Sequence, residues 1–82
     1  MDEFRWNIET APELLVKYGF VRQYDTWEYD LVIDTGDGGA SWYECIGVLI
    51  LNSDGSIEAA GQVDEYLVEQ LFRDGMIYVI HN

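Results

Sequence analysis

One stretch of nine residues, Thr26 to Asp34, constrains the fold most strongly because its side chains alternate in polarity. The apolar positions are Trp27, Tyr29, Leu31 and Ile33, and the positions between them are Glu28, Asp30, Val32 and Asp34. A period of two predicts a β-strand that has one face in a core and the other in water. The wet face carries three carboxylates and no basic residue. The sequence therefore predicts a sheet with an acidic face.

The rest of the chain predicts an α+β fold built around that strand. Helical and extended patterns are separated by turns, and Asp54-Gly55 is a strong hairpin signal because it readily supplies positive φ. We expect a single compact domain over residues 1–82, with a four- to five-stranded, mainly antiparallel sheet and two helices packed on one face. The expected helices are 10–18 and 63–74, and the expected strands are 20–25, 26–34, 42–51, 56–61 and 76–80, with a short strand or arm within 1–9.

Three details of this expectation concern the ends and faces of single elements. Thr10 and Glu13 have the spacing of a capping box, in which each side chain accepts a backbone N–H at the start of a helix. Gly19 follows that helix at the place of a left-handed C-terminal residue. Beyond Glu44, strand 42–51 is apolar on both faces, which is typical of a strand covered on two sides.

The charge of the chain narrows the choice of partner. The chain has sixteen Asp and Glu residues but only four Lys and Arg residues, so its formal net charge is -12. Its hydrophobic share of 49% nevertheless indicates a folded protein. Polyanions such as free nucleic acid and anionic membranes are thereby disfavoured, and a basic protein or a cation is favoured. A single cysteine excludes an internal disulfide. The sequence shows neither a signal peptide nor an apolar run long enough to span a bilayer, so we expect a cytoplasmic protein.

Motifs for metal binding and catalysis fail on inspection. The run that begins at Asp34 resembles a calcium loop, but glycines occupy the third and fifth positions where oxygen ligands are needed. Cys45 and His81 are too few for a zinc site. As a catalytic pair they are also poor candidates, because Cys45 lies in an apolar strand, where cysteines are usually buried and inert, and His81 is expected to fray. We therefore expect no cofactor, no metal and no enzymatic activity.

The acidic pattern is the remaining candidate for a functional site. Carboxylates two residues apart on a strand are about 6.6–6.8 Å apart, broadly the interval between phosphates on a nucleic acid strand. Exposed aromatics beside such acids would be suited to anchoring a partner. The alternative interpretation is a solvated face that only keeps the domain soluble. Candidate aromatic anchors are Trp42, Tyr43 and Tyr24, of which we select Trp42. The predicted partner-binding carboxylates are Glu28, Asp30 and Asp34, extended by Asp25 and Asp37 and widened by Glu44 or by Glu58.

A small, compact and strongly acidic chain resembles phage-encoded anti-CRISPR proteins and other DNA-mimic inhibitors. It is also similar to the acidic immunity proteins that neutralise nuclease toxins. The resemblance implies a non-enzymatic inhibitor that acts in the host cytoplasm on a nucleic-acid-binding effector or a nuclease. We expect the protein to be a monomer or a homodimer. A hypothesis from another class is a structural module that self-associates through the strand edge at 76–80 or through the N-terminal arm around Phe4, Trp6 and Ile8.

Overall fold

The fold is α+β, with two helices and six strands arranged in two antiparallel sheets. The structure, a computed structural model, describes residues 2–36 and 42–81. The strands are β1 (Asp2–Trp6), β2 (Val21–Gln23), β3 (Thr26–Asp34), β4 (Tyr43–Leu51), β5 (Ile57–Gly61) and β6 (Ile77–His81), and the helices are α1 (Pro12–Lys17) and α2 (Glu65–Arg73). The stretch with alternating polarity is β3, with the bounds that its pattern predicts.

The larger sheet has the strand order β2-β3-β4-β5, so each strand pairs with its neighbour in sequence. The smaller sheet joins the first described strand, β1, to the last, β6, with Trp6 opposite Ile77. A single antiparallel bridge between Arg5 and Ser56 links the two sheets. The N-terminal segment is therefore a strand that holds both ends of the chain together.

The hydrophobic core lies on one face of the larger sheet. Both helices contribute to it, through Leu15 of α1 and through Leu67 and Leu71 of α2. This confirms the expected packing of two helices on one face. The buried residues of the core are Trp6, Leu15, Phe20, Trp27, Leu51, Leu67, Leu71, Met76 and Ile77.

The capping box predicted for α1 is wrong. Ala11 occupies the N-cap position and makes no side-chain cap, because the helix begins at Pro12 and Thr10 falls in a preceding turn, where its N–H donates to the carbonyl of Asn7. Helix α2, in contrast, has a side-chain N-cap: the carboxylate of Asp64 accepts the backbone N–H of Leu67 at 3.1 Å. Gly19 has φ +98°, as predicted for the residue after α1.

The turn between β4 and β5 has the predicted hairpin geometry. Gly55 has φ +93°, and the backbone N–H of Asn52 donates to the carbonyl of Ser56 at 2.9 Å. Asp54 stabilises the turn by accepting both the hydroxyl and the backbone N–H of Ser56. These two bonds, the hydroxyl first, lower the pKa of the Asp54 carboxyl from its usual value.

The expectation that β4 is covered on both faces is wrong. Val48 and Ile50 are only half-buried, and neither belongs to the buried core. Because both helices pack on the same face, no described element covers the other one.

A β-bulge interrupts the pairing of β3 with β4. Leu31 pairs with Gly47 but Val32 pairs with Cys45, so Ile46 is an extra residue on β4. Because side chains alternate along a strand, one extra residue exchanges the faces of every residue beyond it. The bulge therefore decides which side chains of the distal part of β4 lie beside the acids of β3.

Beyond the bulge, β3 and β4 continue as a two-stranded ribbon (residues 32–34 and 43–45). The pairing of β5 with β4 ends at Gly61, opposite Gly47, so β5 does not accompany the ribbon. The dimensions reflect this extension, since the principal axes measure 49 × 28 × 22 Å and the radius of gyration is 14.2 Å, against about 12 Å for a compact domain of this length.

Candidate functional site

The candidate site is the outer face, which we define as the side of the larger sheet opposite the core. Glu28 and Asp30 lie on it because they alternate with the core residues Trp27 and Tyr29. Strand pairing extends the face, since residues directly opposite each other project to the same side. Four carboxylates of the described residues lie on it: Glu28, Asp30, Asp34 and Glu58.

Glu58 joins the face through the register of three strands. Glu28 pairs with Ile50, and Ile50 in turn pairs with Glu58. The two carboxylates therefore flank an isoleucine at a separation of about two strand spacings, roughly 9.5 Å. Along β3, Glu28 and Asp30 are about 6.6–6.8 Å apart, whereas Val32 intervenes before Asp34. The acids form a patch rather than an unbroken row.

The charge of this patch is uncompensated within the described chain. The described chain has three ion pairs, Arg5–Glu3, Arg73–Glu69 and His81–Asp2. None of them involves an outer-face carboxylate. Arg22 lies on the core side instead, where its guanidinium is 5.5 Å from the centre of the Trp27 ring. Among the described residues, the outer-face carboxylates thus form no ion pair with Lys, Arg or His.

Apolar side chains lie between these carboxylates. Val48 and Ile50 are half-buried at the centre of the face, and Val32 is 46% exposed and Tyr43 72% exposed towards the ribbon. A patch that combines charged groups with an exposed aromatic and aliphatic centre has the composition of a protein-binding surface. The arrangement offers both ionic pairing and apolar contact.

Several predicted site residues lie elsewhere, and the bulge is one cause. Glu44 pairs with Ile33 and so projects to the side opposite Glu28 and Asp34, a correction to the sequence-based grouping. Trp42 precedes β4 and is not part of the sheet, whereas Tyr43 pairs with Asp34 and so accompanies the acids. Asp37 lies outside the described residues.

Asp25 is also away from the outer face. It follows the turn residue Tyr24, which has φ 55°, and it lines an open cleft of about 470 Å³ together with Arg22 and Trp27. Since Trp27 belongs to the core side of β3, Asp25 does not extend the row of carboxylates. The sequence did not reveal this because a turn residue has no fixed face.

Sequence reasoning also misplaced Cys45 and His81. Cys45 is exposed rather than buried, because the bulge turns it to the outer face opposite Val32. His81 is the last residue of β6 rather than a frayed end, and its Nδ1 lies 2.9 Å from the carboxylate of Asp2. The extra residue on β4 has no signature in the sequence except Gly47 beside it.

The hydroxyl of Tyr29 secures the strand that carries the site. It donates to the carboxylate of Asp64 at 3.0 Å, so β3 is tied to the residue that caps α2. Burial raises the pKa of the Tyr29 phenol above its usual 10.0, and the hydrogen bond to Asp64 and the negative charge of Asp64 raise it further. The folded state therefore favours the protonated phenol.

Stability is expected to fall at alkaline pH through this group. The pKa of Tyr29 is higher in the folded than in the unfolded protein. The contribution of Tyr29 to the free energy of unfolding is therefore complete below about pH 10, and it is lost as the pH rises through the pKa of the folded protein. Tyr29→Phe should lower the free energy of unfolding by about 0.5–1.5 kcal/mol at pH 7. It should also flatten the alkaline decline, as measured by urea unfolding from pH 7 to 11.

Tyr66→Phe is the matched control, since Tyr66 is on α2 and 72% exposed. This variant should retain both the stability at pH 7 and the alkaline slope of the parent protein. An alkaline slope that Tyr29→Phe leaves unchanged would contradict the assignment.

No group of three or more His, Cys, Asp or Glu residues within the described ranges is arranged to hold a metal ion. Neither α1 nor α2, the helices of the described chain, has the length and apolar character needed to cross a bilayer. No protein family, curated protein or solved structure matches the chain.

Proposed function

We propose that the protein is a non-enzymatic inhibitor whose outer face binds a basic, nucleic-acid-binding surface of another protein. One observation carries the proposal: four carboxylates share an uncovered sheet face and have no ion pair with Lys or Arg in the described chain. The role we favour is that of a phage-encoded anti-CRISPR or other anti-defence DNA mimic acting in the host cytoplasm. An immunity protein against a nuclease toxin would use the same surface.

The mechanism is competition for cationic side chains. A protein that grips nucleic acid presents Lys and Arg to successive phosphates. Carboxylates offer those groups charge-assisted hydrogen bonds, which Arg makes in a bidentate manner. Contacts by Ile50 and Tyr43 would exclude water from the centre of such an interface, which strengthens the surrounding ionic pairs.

The size of the charge supports a role beyond solubility. A net charge of magnitude about 2–8 is enough for a small domain, whereas this chain has -12. The excess destabilises the folded state through self-repulsion. Retaining three or four adjacent acids on one face is understandable if a cationic partner relieves that repulsion.

Neutralising the β3 acids is expected to weaken partner binding by about 100-fold. The change is Glu28→Gln with Asp30→Asn and Asp34→Asn, which removes three charges and keeps the side-chain shapes. At about 1 kcal/mol or more for each lost charge pair, the effect should be measured by titrating a partner captured on the immobilised protein. The affinity for the parent protein should also fall as salt rises, and duplex DNA should displace the partner.

A control with the same net charge isolates the effect of position. Glu9→Gln, Glu13→Gln and Asp74→Asn also remove three charges, but from residues outside the outer face. This control should bind as the parent protein does. A partner that binds both variants equally, or with an affinity indifferent to salt, would rule out the outer face as the inhibitory surface.

A second candidate function, self-association, is favoured by the edge of β6. Among the described strands, β6 pairs only with β1, so its other edge has no strand beside it. That strand contains no carboxylate, lysine or proline that would block edge pairing. Light scattering distinguishes the two functions, since a stable dimer that leaves the outer face free favours assembly and a monomer favours inhibition.

A further inference from the structure

β1 and β5 meet at one point and then separate. In the described chain a single bridge joins Arg5 of β1 to Ser56, the residue before β5, and there the backbone N–H of Trp6 donates to the carbonyl of Gly55 at 3.1 Å. Continued antiparallel pairing would place Phe4 opposite Ile57, but the strands of the described chain have no further bridge there. The two strands therefore bound a gap that opens away from the bridge.

The gap contains an apolar cavity of about 310 Å³. All seven side chains that line it are apolar, and they come from both sheets and from α2 and the segment before it. This volume is about twice the roughly 150 Å³ of an apolar cavity that holds benzene, so it has room for two apolar side chains. The lining residues are Phe4, Leu49, Ile57, Ala59, Val63, Val68 and Ile77.

Backbone groups of β5 also face this gap. The carbonyl of Ser56 points to β4, where it accepts the N–H of Asn52. Since successive residues of an antiparallel strand direct their backbone groups to opposite neighbours, Ile57 and Ala59 direct theirs away from β4. The N–H of Ile57 faces β1 beside the Arg5–Ser56 bridge, and the backbone groups of Ala59 face the gap. In the described chain no strand pairs with β5 on that side. The site thus combines an apolar cavity with an open strand edge.

We propose that this gap binds an extended peptide segment, which adds to the free edge of β5 and inserts two apolar side chains into the cavity. Side chains at positions i and i+2 of a strand project to the same side, so one face of the segment supplies both. A purely apolar molecule would leave the backbone edge of β5 unused, whereas a peptide uses the edge and the cavity together. The gap is a different binding site from the outer face, with Glu58 at the border of both, and the peptide test below does not depend on the proposed inhibitory function.

The net negative charge of the chain favours basic residues at both ends of the bound peptide segment. The net charge of -12 attracts cations, and Glu58 of β5, which borders the gap, is exposed and has no ion pair with Lys, Arg or His in the described chain. Basic residues beside the two apolar ones are therefore favoured, and acidic ones are disfavoured.

The test uses a capped pentapeptide with lysine at both ends, isoleucine at the second and fourth positions and threonine in the middle. Binding is followed by NMR chemical shifts of the methyl groups of Ile57, Val68 and Ile77. Two matched peptides accompany it: one has glutamate in place of lysine, and the other is methylated on the backbone nitrogens that would donate to β5. We expect the parent peptide to shift these methyl signals saturably, and each matched peptide to bind at least tenfold more weakly.

Neighbouring alanines on β5 provide variants with opposite expectations. Ala59→Phe fills the cavity and should abolish binding, whereas Ala60→Phe places the same side chain on the outer face, opposite Val48, and should leave binding unchanged. A cooperative thermal unfolding transition is required of both variants, as the check that each is folded. If the methylated peptide binds as tightly as the parent peptide, strand pairing with β5 is contradicted and the gap is a site for apolar molecules. If no saturable shifts appear at millimolar peptide, the proposal is overturned.

Discussion

Replacing Trp6 by alanine is expected to lower the free energy of unfolding by about 3–5 kcal/mol. Trp6 is 6% exposed and lies in the core opposite Ile77 of β6. Its indole Nε1 donates to the carbonyl of Asn52 at 2.7 Å, so the substitution leaves a cavity and removes the donor of a turn carbonyl. A domain of this length has a total stability of only about 4–12 kcal/mol at the usual 0.05–0.15 kcal/mol per residue. Urea unfolding followed by circular dichroism measures the loss.

Trp42→Ala is the control, since the same substitution is made at a tryptophan that is 57% exposed. Its effect should stay within about 0.5 kcal/mol, as for other surface changes. Equal losses for the two variants would show that Trp6 does not join the N-terminal strand to the core. A small loss for Trp6→Ala would show that the Trp6 indole and its hydrogen bond to Asn52 contribute little to folding.

The second large effect is expected for Gly47→Ala, which should cost about 3 kcal/mol or more. A Cβ atom at this position would overlap the carbonyl oxygen of Gln62. That backbone has little freedom to retreat, because the N–H of Gln62 donates to the carbonyl of Ile46 at 2.9 Å. Overpacking typically costs about 1–3 kcal/mol, and a collision with hydrogen-bonded backbone belongs at or above the upper end of that range. Thermal and urea unfolding test the change.

Gly75→Ala distinguishes a steric collision from the general cost of replacing glycine. Gly75 has φ +74° but no atom within 4 Å of an added Cβ, so only the left-handed conformation opposes alanine, at about 1–2 kcal/mol. The loss at Gly47 should exceed the loss at Gly75. If the order is reversed, the close approach of β4 to Gln62 is not what requires glycine. Because Gly47 adjoins the bulge, its variant should also weaken binding through the outer face.

The elements of the fold were largely predictable because local patterns determine them. Period-two alternation gave β3 its bounds, the Asp54-Gly55 turn set the next hairpin, and Gly19 marked the end of α1. The capping box at Thr10 failed because a side chain with the right spacing does not compel the chain to begin a helix there. Thr10 instead belongs to a turn in which its backbone N–H donates to the carbonyl of Asn7.

The candidate site was predictable only where one strand determines it. Glu28, Asp30 and Asp34 share a face because they belong to a single uninterrupted strand. Glu44 and Cys45 were assigned wrongly because their faces depend on pairing with another strand. The proposed peptide site had no sequence signal at all, since its lining comes from four strands, α2 and the segment before it.

The sequence by itself determined that this chain forms strands and helices with an acidic strand face, because alternation, turn residues and charge act over a few neighbouring positions. Only the tertiary structure decided which acids lie together and where the apolar gap lies. The reason is physical: the faces of β4 follow from one extra residue, Ile46, in the pairing with β3, and the gap follows from the divergence of β1 from β5 after the Arg5–Ser56 bridge. Both depend on contacts between segments that are distant in the sequence.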